Sequence, residues 1–114
     1  MSQHKMKTIT ADGTPCEVLI GWDRPMAGYF LVVERSDCPP DASDDIAYLF
    51  DNLRQPFPSA HPRSLGPFLE VLESLGIQLP EPLQHRLTMD RESQVMNQLT
   101  YWSPAGEVLP HAPA

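Results

Sequence analysis

The chain has 114 residues, 41% of them hydrophobic, and carries a net charge of −7 with a pI near 4.8. That length supports one hydrophobic core without staples, and the acidity argues against a protein that grips nucleic acid by neutralising phosphates. No run approaches the roughly 18 apolar residues of a membrane span, the first residues lack the apolar segment of a secretory signal, and two cysteines in that context read as reduced thiols in a cytoplasm.

Residues 5–10, KMKTIT, predict a first strand, and Asp12-Gly13 predicts a tight hairpin turn after it. Lys5 and Lys7 share a face, which suits an edge strand, where lysine discourages pairing with other chains. Over residues 16–22 the chain alternates. Cys16, Val18, Ile20 and Trp22 point one way and Glu17, Leu19 and Gly21 the other, the period of a strand. Residues 29–33, YFLVV, are apolar on both faces and fit a central strand. Between these two, Pro25 pushes Arg24 out of the α region and starts a turn, and Gly28 is suited to a positive φ where the chain re-enters the sheet. Residues 1–35 read as a three-stranded antiparallel meander.

Residues 36–45 form an acidic loop with Asp37, Asp41, Asp44 and Asp45, no base and a Pro-Pro pair. Residues 46–53, IAYLFDNL, fit two periods. Ile46, Leu49, Phe50 and Leu53 make a helical stripe, whereas Ile46, Tyr48 and Phe50 make a strand face, and the aromatic content favours a fourth strand. The proline-rich stretch 54–63 is an extended crossover into a helical second half.

Residues 64–75 predict a helix with Ser64 as N-cap and Pro67 in the first turn. Leu65, Phe68, Leu69, Leu72 and Leu75 line one face, and Gly76 is placed for a left-handed Schellman closure completed by Ile77. Pro80 and Pro82 open a second helix with Leu83 and Leu87 on its apolar face, ending near Arg91 or Glu92. Residues 95–102, VMNQLTYW, can form a last strand with Leu99 and Tyr101 on one side and Trp102 on the other. The expected fold is α+β: a single domain with an antiparallel meander of three to four strands, an extra C-terminal strand as an option, packed by two helices. Residues 1–4 and 104–114 are expected to fray.

No catalytic motif is present: there is no nucleophile elbow, phosphate loop or dinucleotide fingerprint. His4, His61, His85 and His111 are scattered without metal-ligand spacing, so neither a metal nor a cofactor is implied. Cys38 is flanked by carboxylates, which disfavour the thiolate, and Cys16 reads as a small apolar strand residue. The aspartates of the acidic loop lack calcium-loop spacing and read as solvated. Glu70 and Glu73 read as the wet face of their helix.

Trp22, Asp23, Arg24 and Met26 at the hairpin end, with Phe57 in the crossover, are the candidate binding residues, since tryptophan and arginine are enriched at binding hot spots. The competing reading is a plain hairpin end with a solvated ion pair. The succession GWDRPM, YFLVVE, YLFDNL, PFLEVLESLGIQLP and DRESQVMNQ resembles a small uncharacterised family of bacterial proteins of about this length. The resemblance implies a strand at residues 46–52 and a bacterial cytoplasmic setting, and no activity.

Three functions fit these features. The first is a small cytoplasmic interaction or regulatory protein, not an enzyme, that touches an unknown protein partner and is itself a monomer or weak homodimer, with no membrane and no direct nucleic-acid contact. The second is an acidic DNA mimic that blocks a DNA-binding protein, drawing on Glu34, Asp37, Asp41, Asp44, Asp45 and Asp51 against the single base Arg35. The third is a small ligand-binding domain or enzyme with a pocket between sheet and helices, using His85, Arg86 or Arg91.

Overall fold

The computed structural model describes residues 2–39, 41–54, 60–93 and 98–111, with backbone alone at 44, 45 and 54. Three long strands come first: β1 (Ser2–Ile9), β2 (Pro15–Asp23) and β3 (Gly28–Arg35). A one-turn helix α1 (Asp44–Ala47) leads into a short strand β4 (Tyr48–Asp51) and a 3-10 turn (Asn52–Arg54). Helices α2 (Gly66–Ser74) and α3 (Glu81–Ser93) follow, and the chain returns to the sheet as β5 (Gln98–Trp102) and β6 (Val108–Leu109). The α+β class holds, and among the described residues the sheet has six strands in the order β4-β3-β2-β1-β5-β6.

β1 to β4 form the expected antiparallel meander, and the sheet is mixed because the optional C-terminal strand, β5, joins it in parallel. β1 pairs antiparallel with β2 and parallel with β5, in the register Ser2↔Gln98 to Met6↔Trp102. The edge-strand reading of β1 is therefore corrected. Its lysines face solvent because they lie on the uncovered side of an interior strand. A parallel partner needs a crossover, and here α2 and α3 supply it. Residues 1–4 were expected to fray, yet Ser2, Gln3 and His4 lie within β1, with Ser2 and His4 wholly buried. The chain end folds back as well, with Ser103 N–H donating to Glu107 O at 2.8 Å in the β5–β6 turn.

Alternation along β2 sends Cys16, Val18, Ile20 and Trp22 to one face, where they meet Met6, Tyr29, Leu31 and Val33. Phe68 and Leu72 of α2 and Leu83 and Leu87 of α3 close that core. Of the five stripe residues expected to be buried in α2, only Phe68 and Leu72 are fully so, while Leu65, Leu69 and Leu75 pack on the margin. The N-cap is Leu65, not Ser64, and no side chain caps it. The C-terminus closes as expected: Gly76 has φ +74°, its N–H bonds Glu73 O, and Ile77 N–H bonds Leu72 O at 2.9 Å.

The ambiguous segment 46–53 divides between its two readings. Ile46 and Ala47 end α1, and Tyr48 to Asp51 form β4, with a register shift opposite Val33 and Glu34. Past β4, the edge of β3 is satisfied by other means. Asn52 Oδ1 accepts from Leu31 N–H at 3.3 Å, Asn52 Nδ2 donates to Ala60 O at 3.0 Å, and Tyr29 N–H donates to Pro62 O at 2.7 Å. One buried side chain thus stands in for a missing strand neighbour.

Candidate functional site

The hairpin end looks different from its sequence reading. Asp23 pairs with Gly28, and residues 24–27 make the turn, with Met26 N–H donating to Asp23 Oδ1 at 3.3 Å and Ala27 N–H to Arg24 O at 3.1 Å. The left-handed residue is Ala27, at φ 51°, not Gly28. Gly28 is needed for a different reason, because the His61 backbone occupies the space a Cβ would take. Trp22 is not a surface anchor. It is 2% exposed and meets Tyr29 edge-on at 5.0 Å between ring centroids. Trp22 keeps the alternation of β2, on the face of Cys16, Val18 and Ile20, and that carries the indole into the core. Asp23, Arg24 and Met26 do sit on the turn, Met26 with its side chain half exposed. Phe57 lies outside the described residues.

The residues of the ligand-pocket reading part company. His85 is exposed, and Arg86 reaches Asp90 Oδ1 at 3.4 Å and Gln98 Oε1 at 3.3 Å. Arg91 lies toward Trp22, at the far end of α3. In the acidic loop, Asp37 is gripped by Arg35 through Nε at 3.0 Å and a second guanidinium nitrogen at 3.1 Å. The side chains of Asp44 and Asp45 lie outside the described residues.

A buried polar network joins three elements that are remote in sequence. Trp102 Nε1 donates to His4 Nδ1 at 2.9 Å, and His4 Nε2 lies 2.6 Å from Asp90 Oδ2. Indole nitrogen only donates, so Nδ1 is the acceptor and Nε2 carries the proton that bonds the carboxylate. Ser2 also bonds Asp90, and its hydroxyl oxygen accepts from Trp22 N–H at 3.0 Å. His4 is 0% exposed and Asp90 2%. A general base must present a ring nitrogen to substrate, and both nitrogens of His4 are taken by the fold. This dyad ties β1, α3 and β5 together. A signal for it existed in the sequence: Asp90 falls seven residues after Leu83 on the stripe of Leu83 and Leu87, and an acid on a buried stripe needs a partner.

Burial alone would raise the Asp90 carboxyl. Hydrogen bonds from His4 and Ser2, with the attraction of Arg86, outweigh it and hold the group below its ordinary value of 3.8. A depressed folded-state value means that Asp90 stabilises the fold fully above the unfolded value and progressively less as pH falls below it. Chemical denaturation between pH 5 and pH 2 (a range of about three units around the unperturbed aspartate) is expected to show stability falling with acid. The slope should be shallower in Asp90→Asn. Equal slopes in the two proteins would remove Asp90 from the acid response.

The largest feature without an internal role is the other face of the sheet. Register places Val32, Leu19, Lys5 and Tyr101 in one row across β3, β2, β1 and β5. A second row holds Glu34, Glu17 and Lys7. Phe30 covers Gly21, and beyond it Leu99 is 48% exposed, with Ile9 at the end of β1 59% exposed. Among the described residues neither α2 nor α3 lies on this side: their buried apolar residues all join the opposite core, and the molecule is only 24 Å thick along its shortest axis. No helix among the described residues is long and apolar enough to cross a membrane. No family model, curated protein or solved structure matches the chain.

Proposed function

We propose that the chain is an interaction module that works by protein–protein contact, and that its contact surface is the uncovered sheet face, occupied by a second copy of the chain. The observation that carries this reading is the row of Val32, Leu19 and Tyr101, flanked by the exposed Leu99, on a face that neither α2 nor α3 covers among the described residues. An antiparallel sheet with a solvated face normally alternates apolar-in and polar-out. Here the outward positions include large apolar and aromatic side chains, so the polar half of that alternation is incomplete.

The charges favour a copy of the same chain. Lysines sit on β1 and glutamates on β2 and β3. A two-fold axis along the strands, between β1 and β2, sets Glu17 of each copy over Lys7 of the other and lays the Leu19–Val32 strip against the Lys5 stem and Tyr101. Lys5 already reaches Glu17 at 3.8 Å within one chain, so the carboxylate has a cation on either side. Strands about 4.8 Å apart give a six-stranded face on the order of 500 Å² per copy. That is the lower end of specific interfaces, and it sets the expectation of a weak, concentration-dependent dimer. Cys16 and Cys38 are free thiols, which suits the cytoplasmic setting of this reading.

Sedimentation of the wild-type chain across a concentration series tests the proposal, with Leu19→Glu as the disrupting variant. The wild type should shift from monomer toward dimer as concentration rises, and Leu19→Glu should stay monomeric with its fold intact. Lys7→Glu and Glu17→Lys should each weaken self-association and restore it when mixed. A wild type that stays monomeric throughout, or a dimer indifferent to Leu19→Glu, overturns it.

A further inference from the structure

Where α2 gives way to α3, a cavity of about 510 Å³ lies between Leu69, Leu72 and Glu73 of α2, the connecting residues 76–79, and Glu81 and Gln84 of α3. Leu72, Ile77 and Leu79 are buried in the core and Leu69 packs on its margin, so this part of the wall is aliphatic. Glu73, Gln78 and Glu81 are exposed. Gln84 donates through Nε2 to Leu79 O at 2.8 Å, which leaves its side-chain oxygen as an acceptor. No lysine, arginine, histidine or aromatic ring lines the cavity. The two glutamates differ in their relation to the helices. Glu81 opens α3, where the positive end of the helix dipole favours an acid. Glu73 lies in the last turn of α2, a turn without a basic residue, where the negative end of the dipole favours a cation instead. One carboxylate is therefore matched by its own helix, and the other stands against the field of its helix.

We infer that this cavity is a binding site for a small organic monocation with an aliphatic body, an alkylammonium. A cation here supplies the charge that the last turn of α2 lacks, and it does so beside a second carboxylate. An ammonium group carries three donors and no acceptor, which suits a lining of carboxylates and the Gln84 side-chain oxygen. Its hydrogen bonds to a carboxylate are charge-assisted and correspondingly strong. The aliphatic wall of Leu69, Leu72, Ile77 and Leu79 takes an alkyl chain out of water. The volume falls in the range of small-molecule sites. The site is built by the helices and their connection, and it stands independently of the self-association face.

The test uses the full chain in proton–nitrogen correlation spectra at constant ionic strength, titrated separately with hexylammonium, methylammonium and hexanoate. Hexylammonium should move the backbone amide signals of Gly76, Ile77 and Gln78 saturably. Methylammonium keeps the charge but lacks the chain, and should bind at least about tenfold more weakly. Hexanoate keeps the chain but inverts the charge, and should leave these signals in place. Glu73→Gln should weaken hexylammonium about tenfold, with the rest of the amide spectrum unchanged. The inference is overturned by signals indifferent to hexylammonium, by hexanoate or methylammonium binding as tightly, or by a response that Glu73→Gln and Glu81→Gln both retain in full.

Discussion

His4→Ala is expected to destabilise the fold by about 3–5 kcal/mol, against a total of about 5–15 kcal/mol for a domain of this kind. The substitution removes one ring and orphans two partners. The Asp90 carboxylate, 2% exposed, loses the donor at 2.6 Å, and the Trp102 indole loses its acceptor at 2.9 Å. A charge-assisted hydrogen bond is worth about 1.5–3 kcal/mol, and each buried group left unsatisfied costs about 1–3 kcal/mol more. His4→Gln can present an amide oxygen to Trp102 and an amide N–H to Asp90, so it should recover part of the loss. Urea denaturation of the three proteins at neutral pH measures this. If His4→Ala lies within about 1 kcal/mol of wild type, the network does not hold β1 to α3 and β5. If His4→Gln proves no better than alanine, the effect is lost packing and not hydrogen bonding.

That network also shows where the sequence could be read and where it could not. Local patterns are legible: alternation marks β2, an unbroken apolar run marks β3, and the leucine spacing with Gly76 marks α2 and its Schellman end. Those features depend on neighbours within a few residues. The parallel pairing of β1 with β5 does not, since Ser2 meets Gln98 across the whole chain and parallel strands carry no turn between them to advertise the register. Without that pairing β1 looks like an edge and its first residues look loose. His4 then reads as a histidine near a chain end, although it lies at the centre of the buried network. Trp22 carries two signals that point to different places. Its neighbours Asp23, Arg24 and Pro25 mark a turn, but the side chain obeys the strand that precedes them. Of the binding residues read from the sequence, the turn keeps Asp23, Arg24 and Met26, while Trp22 moves into the core. The outward row of Val32, Leu19 and Tyr101 needed the strand order before it could be seen as one surface.

Gly21→Ala should be the second severe substitution, at about 3 kcal/mol, and the other glycines identify the cause. A Cβ at Gly21 would overlap the Ser2 carbonyl oxygen and fall 2.8 Å from Phe30 Cζ. The ring could swing away at modest cost, but the carbonyl belongs to the strand that Ser2 Oγ and His4 anchor, so relief there would pull on Trp22 N–H and on the bond to Asp90. Gly13→Ala has nothing within 4 Å but a φ of +86°, so it carries only the left-handed penalty of about 1 kcal/mol. Gly66→Ala meets no neighbour closer than 4.0 Å at the start of α2, where alanine is the better helix former, and should be neutral or stabilising by up to about 1 kcal/mol. Thermal and urea unfolding of the three variants therefore separate crowding from backbone strain and from propensity. A Gly21→Ala protein as stable as Gly13→Ala would mean that β1 can yield at Ser2. The anchoring assigned to its first residues would fail with it.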